Sequence, residues 1–281
     1  MKLGDGKKVL LILCLAACFL CLPFFVQIGG MLTGRQIFIS ENIQFILATL
    51  IQLIGGFLFY WQAYHALRKR QVGHKTVLMM ISTVVYLYSC VLWQQNLPSF
   101  FMVSAITITV LLLGEWLLVG KQRNQIDLLP KVFADRLAHV LLGVITLSSV
   151  IAFLTWWLIK GNGWRACGIG ADVWVMACPC MLGLAMPIII NIYNRTVAWL
   201  KENLEEELAI AKAEDVSKEA IRKMRQNVGF AFLYPVLGIP FAAMGLLHPW
   251  LVAFTIAMSF FSIFTNSLLL YFWLPQENNR G

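Results

Sequence analysis

QNVGFAFLYPVLGIPFAAMGLLHPWLVAFTIAMSFFSIFTNSLLLYFWLPQ, Gln226 to Gln276, contains no charged residue. A helix that crosses the hydrocarbon core of a bilayer needs about 20 apolar residues. The run is long enough for two crossings, and His248-Pro249 marks the fold between them. Working outward, the pattern recurs. Val9 to Gly34 has no charge, Asn42 to Leu67 only His65, Thr76 to Gly120 only Glu115, Leu137 to Leu158 only His139, and Ala166 to Asn194 only Asp172. Gln94-Gln95-Asn96-Leu97-Pro98 divides the longest of these in the same way. Of the 281 residues 59% are hydrophobic and 13% charged, where a soluble domain carries about a quarter charged. The expected fold is all-α, a polytopic membrane protein with eight transmembrane helices. They fall at about 9–32, 43–67, 76–94, 98–119, 137–159, 172–194, 227–247 and 250–273. Together they make a single transmembrane domain over 1–281, with a cytoplasmic helical stalk at 195–226.

Basic residues set the expected orientation. With the N-terminus cytoplasmic, the inside segments hold 19 Lys and Arg, while the outside ones hold Arg35, Lys160 and Arg165. That bias follows the positive-inside rule and puts both termini in the cytoplasm, the bacterial inner membrane being the expected home. The net charge of +8 then reads as topology and contact with membrane lipid rather than nucleic-acid binding. Leu15-Ala16-Ala17-Cys18 resembles a bacterial lipoprotein cleavage box. Apolar sequence continues to Leu32, however, too long for a signal core and right for a span.

MACPCMLGLAMP, Met176 to Pro187, interrupts the sixth expected span. Pro179 has no amide hydrogen and its ring crowds the carbonyl of Val175, so a helix must open there. On a closed helix Cys178 and Cys180, two residues apart, would face away from each other. Opening lets both thiols turn to one locus and frees backbone groups that lipid cannot satisfy. Thiolates are soft ligands that select Cu(I), and also bind Zn(II). The plain alternative is two small apolar residues beside a kink. Gly55 and Gly56, midway along the second span, are either a kink point or small residues for close helix packing. Cys14, Cys18 and Cys21 share one face of the first span, most simply as packing residues, with a metal relay as the alternative. Cys90 and Cys167, both expected near the outer face, are a candidate disulfide. Asp172 is expected at the membrane boundary.

ACPCMLGLAMP resembles the sixth transmembrane helix of copper-transporting, heavy-metal-class P-type ATPases, whose pattern is close to ACPCALGLATP. QFILATLIQLIGGFLFYWQAYHAL is similar to their second helix with its double-glycine platform. RQNVGFAFLYPVLGIPFAA and AMSFFSIFTNSLLL are similar to their last two helices, with Pro235 where the family has asparagine. The resemblance implies Cys178, Cys180 and Met258 as copper ligands with Tyr234 beside them. It implies a cytoplasmic inlet in which Asp135 matches, His74 stands for the family's methionine, and Glu115 lies one turn from its glutamate position, occupied here by Leu118. It also implies an exit at which Met102 replaces a glutamate. Cu(I) is the implied ion, with Ag(I) or Zn(II) able to occupy the same thiols.

The family's phosphorylated DKTG and the TGE of its actuator domain do not occur in these 281 residues. Segments 120–136 and 195–226 stand where the actuator, phosphorylation and nucleotide-binding domains would be inserted, and neither has room for them. The expectation is a non-enzyme, pseudoenzyme-like, with no nucleotide cofactor. Three roles are consistent with this. The first is a protein that binds, passively conducts or hands on Cu(I), with a copper chaperone or another membrane protein as partner. The second is a pseudo-pump that regulates or helps assemble another membrane protein. The third is a designed or truncated transmembrane-only chain.

Overall fold

The computed structural model describes residues 3–35, 39–68, 73–119 and 128–273. Among them every regular element is an α-helix: α1 (Leu3–Leu32), α2 (Glu41–Ile54), α3 (Gly56–Arg68), α4 (His74–Gln94), α5 (Phe101–Leu118), α6 (Leu128–Lys160), α7 (Gly163–Met176), α8 (Leu182–Ala185), α9 (Pro187–Asn203), α10 (Glu206–Ala243) and α11 (Pro249–Trp273). The protein is an all-α polytopic membrane protein. Among the described residues six helices, α1, α4, α5, α6, α10 and α11, are long and apolar enough to cross a bilayer. The pair α2 and α3, bent by 53° about Gly55, makes a seventh when taken as one span.

The sixth expected span, 172–194, is not one helix. It divides among α7, α8 and α9, of 14, 4 and 17 residues, none reaching the length of a crossing alone. Its first part also begins well before residue 172. Asn162 accepts a hydrogen bond from the Arg165 amide and caps α7 there, so the helix starts in polar sequence outside the apolar run. The stalk expected at 195–226 is shared between α9 and α10, which meet at Leu204 and Glu205. α10 packs against α9, and Asn227 on α10 donates to the Ala185 carbonyl of α8 at 3.1 Å, so the chain turns back on itself at Leu204 and Glu205. α10 continues for 38 residues through Pro235 and Pro240. Inside a membrane bundle, neighbouring groups can satisfy the backbone that a proline frees.

α5 is the hub. Its side chains are buried on all sides from Phe101 to Leu112, as in a helix with no lipid face over that stretch. It touches α1, α2, α4, α8 and α9. α1 and α6 lie at the rim, where Phe19 and Leu158 are 73% and 79% exposed. Hydrophobicity gives little drive between helices in lipid, so close approach of small residues holds the bundle together. A Cβ on Gly114 would fall 2.2 Å from the Gly183 carbonyl oxygen, and one on Gly55 2.7 Å from Leu112 Cδ1. The α2–α3 bend is stapled by side chains. Gln52 donates to the Tyr60 hydroxyl across it, Tyr60 pairs with Thr83 on α4 at 3.0 Å, and Ser104 on α5 donates to Gln52 at 3.2 Å.

Gly114→Ala should therefore lower the thermal midpoint of the detergent-solubilised protein, by overpacking worth about 1–3 kcal/mol. Gly143→Ala, whose Cβ meets open space, should leave it unchanged or raise it slightly. Equal loss from both would mean that the contact between α5 and α8 is not a tight constraint.

Candidate metal site

The opened backbone between α7 and α8 is the centre of the molecule. Ala177 makes the last helical bond, to the Val173 carbonyl. Beyond it Cys178 reaches back only three residues, to Val175 at 3.4 Å, and Cys180 only two, to the Cys178 carbonyl at 2.9 Å around Pro179. Leu182 and Leu184 also bond three residues back before α9 resumes regular pairing. This unwinding brings the two thiols together. Cys180 Sγ lies 3.1 Å from Cys178 Sγ, with the residues 3% and 5% exposed.

Thr107 of α5 completes the locus. Its hydroxyl is 3.1 Å from Cys180 Sγ, 3.4 Å from Cys178 Sγ and 2.7 Å from the Val103 carbonyl. A hydroxyl has one hydrogen and rotates to suit its surroundings. With the thiols protonated it can rest on Val103. With a thiolate present it can turn to the sulfur and stabilise the charge, as a charge-assisted bond does. The only hint in the sequence is that Ser104, Thr107 and Thr109 are polar in a span that is otherwise apolar up to Gly114.

The sulfurs suit a soft ion after a small movement. At a metal–thiolate bond of roughly 2.3 Å, sulfurs 3.1 Å apart would subtend about 85° at the metal, while a trigonal centre needs about 4.0 Å between them. The pair must open by about 0.9 Å. The weakly bonded segment from Ala177 to Met181 is where such a shift meets least resistance. Among the described residues no three or more His, Cys, Asp or Glu side chains converge. The donors at the break are thus two thiols rather than the four-ligand set of a structural zinc centre.

The other sequence-derived residues scatter. Tyr234 pairs with Ser262 of α11 at 2.6 Å, and Met258 is half-buried one turn before that serine. No hydrogen bond links either to the cysteines. Met102 is fully buried on α5, but five residues from Thr107 places it about 140° around the helix from the thiol-facing side. His74 and Asp135 do meet. The imidazole Nδ1 and the His74 amide both lie 2.7 Å from Asp135 Oδ1. Glu115 is held by Lys75 instead. Asp172 lies within α7 and accepts a hydrogen bond from Tyr88 at 2.9 Å. Cys90 and Cys167 are free thiols.

A second polar cluster, which the sequence did not reveal, supports the break from the other side. Asn227, fully buried on α10, donates to the Ala185 carbonyl and to Ser267, and accepts from Asn266 at 2.7 Å. The Lys223 ammonium donates to Asn266 Oδ1 at 3.0 Å. Nearer the C-terminal end of α10, Gly238 makes the notch for Met176, since a Cβ there would fall 1.9 Å from the Met176 methyl. α5 and α10 thus clamp the broken segment between them.

No family model matches the chain. Individual relatives do. Over 63 residues the chain is 51% identical to a protein of Staphylococcus saprophyticus, and 48% identical to proteins of Staphylococcus aureus strains JH9 and Newman. All three are copper-exporting P-type ATPases. The matched stretch is 22% of this chain and 8% of each relative, so the likeness reaches a small part of those proteins.

Asn227→Ala should cost stability out of proportion to its size, about 1–3 kcal/mol for each buried partner left unpaired. The readout is the thermal midpoint in detergent. A midpoint unchanged from the unsubstituted protein would remove Asn227 as a brace of the break.

Proposed function

We propose that the protein handles Cu(I) within the membrane, with Cys178 and Cys180 as the primary ligands and Thr107 as their hydrogen-bond donor. Met258 and Tyr234 line the same ion path, His74, Glu115 and Asp135 its cytoplasmic inlet, and Met102 its exit. The observation that carries this reading is the 3.1 Å approach of two buried thiols at a helix opened by proline, with a rotatable hydroxyl on both. Such a pair prefers a soft ion, Cu(I) or Ag(I), over Zn(II). The partial likeness to copper exporters supports the same ion. Counting the broken α7–α9 as one crossing gives eight spans, with both termini on the cytoplasmic side of a bacterial inner membrane.

The reading has no ATP-driven step. Without that coupling the protein binds Cu(I), conducts it downhill or passes it to a chaperone or another membrane protein.

The test is copper stoichiometry in detergent under reducing conditions. Cys178→Ala with Cys180→Ala should bind one Cu(I) fewer per chain than the unsubstituted protein. Thr107→Val, which keeps the shape and removes the hydroxyl, should weaken that copper roughly tenfold, the worth of a hydrogen bond to a charged group. If the double variant folds and loses no copper, the thiols are packing residues. The role as a regulatory or assembly partner then takes precedence.

A further inference from the structure

Three thiols of α1 stay outside the proposed path. The buried stripe of α1, with Leu10, Cys14, Ala17, Cys21, Phe24 and Ile28, packs into the bundle, where α5 is among its neighbours. Ile12, Leu15, Phe19 and Leu22 face outward. Cys14 is 3% exposed and Cys21 fully buried, with Cys18 half-buried between them. Cys14 and Cys18 are four residues apart, a spacing that puts Cβ atoms about 5–6 Å from each other, and their thiols interact. Cys21 meets Thr109 of α5 and is also a neighbour of Cys18. It lies about 10 Å along the axis from Cys14, so those two cannot share an ion.

We propose that Cys14 and Cys18 form a second, two-coordinate site for a soft monovalent ion, Cu(I) or Ag(I). Two collinear metal–sulfur bonds of roughly 2.3 Å span about 4.6 Å, which thiols on adjacent helical turns reach without altering the backbone. Zinc and calcium are disfavoured there, since each demands four or more ligands. Binding of one Cu(I) releases both thiol protons and leaves a bis-thiolate centre of net charge −1, one unit less than the two bare thiolates would carry. The site lies across α5 from the first one. Thr109, against Cys21, and Thr107, against Cys178 and Cys180, are two residues apart and point to nearly opposite faces. This inference stands independently of the Cys178–Cys180 reading.

The experiment measures Cu(I) per chain in detergent, under reducing conditions and against a competing Cu(I) chelator. It compares the unsubstituted protein, Cys178→Ala with Cys180→Ala, Cys14→Ala with Cys18→Ala, and all four changes together. The expected loads are two, one, one and none. A single copper that survives Cys14→Ala with Cys18→Ala overturns the α1 site and leaves the proposed function standing. A single copper lost with Cys14 and Cys18 but kept without Cys178 and Cys180 does the reverse. If the α1 double variant fails to fold, Cys18→Ala alone, at a half-buried position, decides the same question. X-ray absorption on the copper-loaded Cys178→Ala, Cys180→Ala protein should show two collinear sulfur neighbours, and any higher coordination number overturns the proposal.

Discussion

Pro179 has no amide hydrogen to give, and its ring cannot sit beneath the Val175 carbonyl. In water a helix broken there would be satisfied by solvent. In a bilayer the opened segment must be enclosed by protein. The surroundings of the break follow from that constraint. α5 carries no lipid face and closes one side, approaching so tightly at Gly114 that its backbone meets the Gly183 carbonyl. α10 closes another side, notched at Gly238 for Met176 and reaching the Ala185 carbonyl with Asn227. The thiols are the reactive part of this arrangement, and the enclosure is what lets them exist at that depth.

Much of this was legible in the sequence, and the limits have physical causes. Charge-free runs mark where lipid contacts the chain, so the class and the approximate spans could be read from them. They do not mark where helices start. α7 begins at Gly163 because Asn162 caps it, although Trp164 and Arg165 read as loop. Pro179 announced the break because its chemistry is local. Pro235 and Pro240 have no such effect, since α10 stays helical through both, as the single span read there requires.

What could not be read was any bond between helices. Thr107 meets the thiols across some seventy residues of sequence, as Asn227 meets Asn266 across 39. The Gln52–Tyr60 bridge spans only eight residues, but it exists only because the chain bends between them. Such contacts depend on the relative rotation of packed helices, which apolar periodicity leaves undetermined in spans that are apolar all round. The same ambiguity explains why Tyr234 and Met258, implied beside the cysteines by resemblance, are joined to them by no hydrogen bond.

The polar groups at the α4 end of the bundle bear on how an ion would arrive. His74 is anchored twice on Asp135, through its ring and its amide, and Glu115 is held by Lys75. An arriving cation would have to displace an imidazole or an ammonium from each carboxylate before using it. In a fast conduction path that competition is a barrier. In a storing or relaying protein it is useful, because a free soft cation finds no open carboxylate, whereas a donor protein that docks and delivers the ion directly can pay the cost of displacement through its own contacts. On the proposed reading, the paired inlet therefore favours hand-on from a partner over open conduction. Thiol affinity then decides which metal stays.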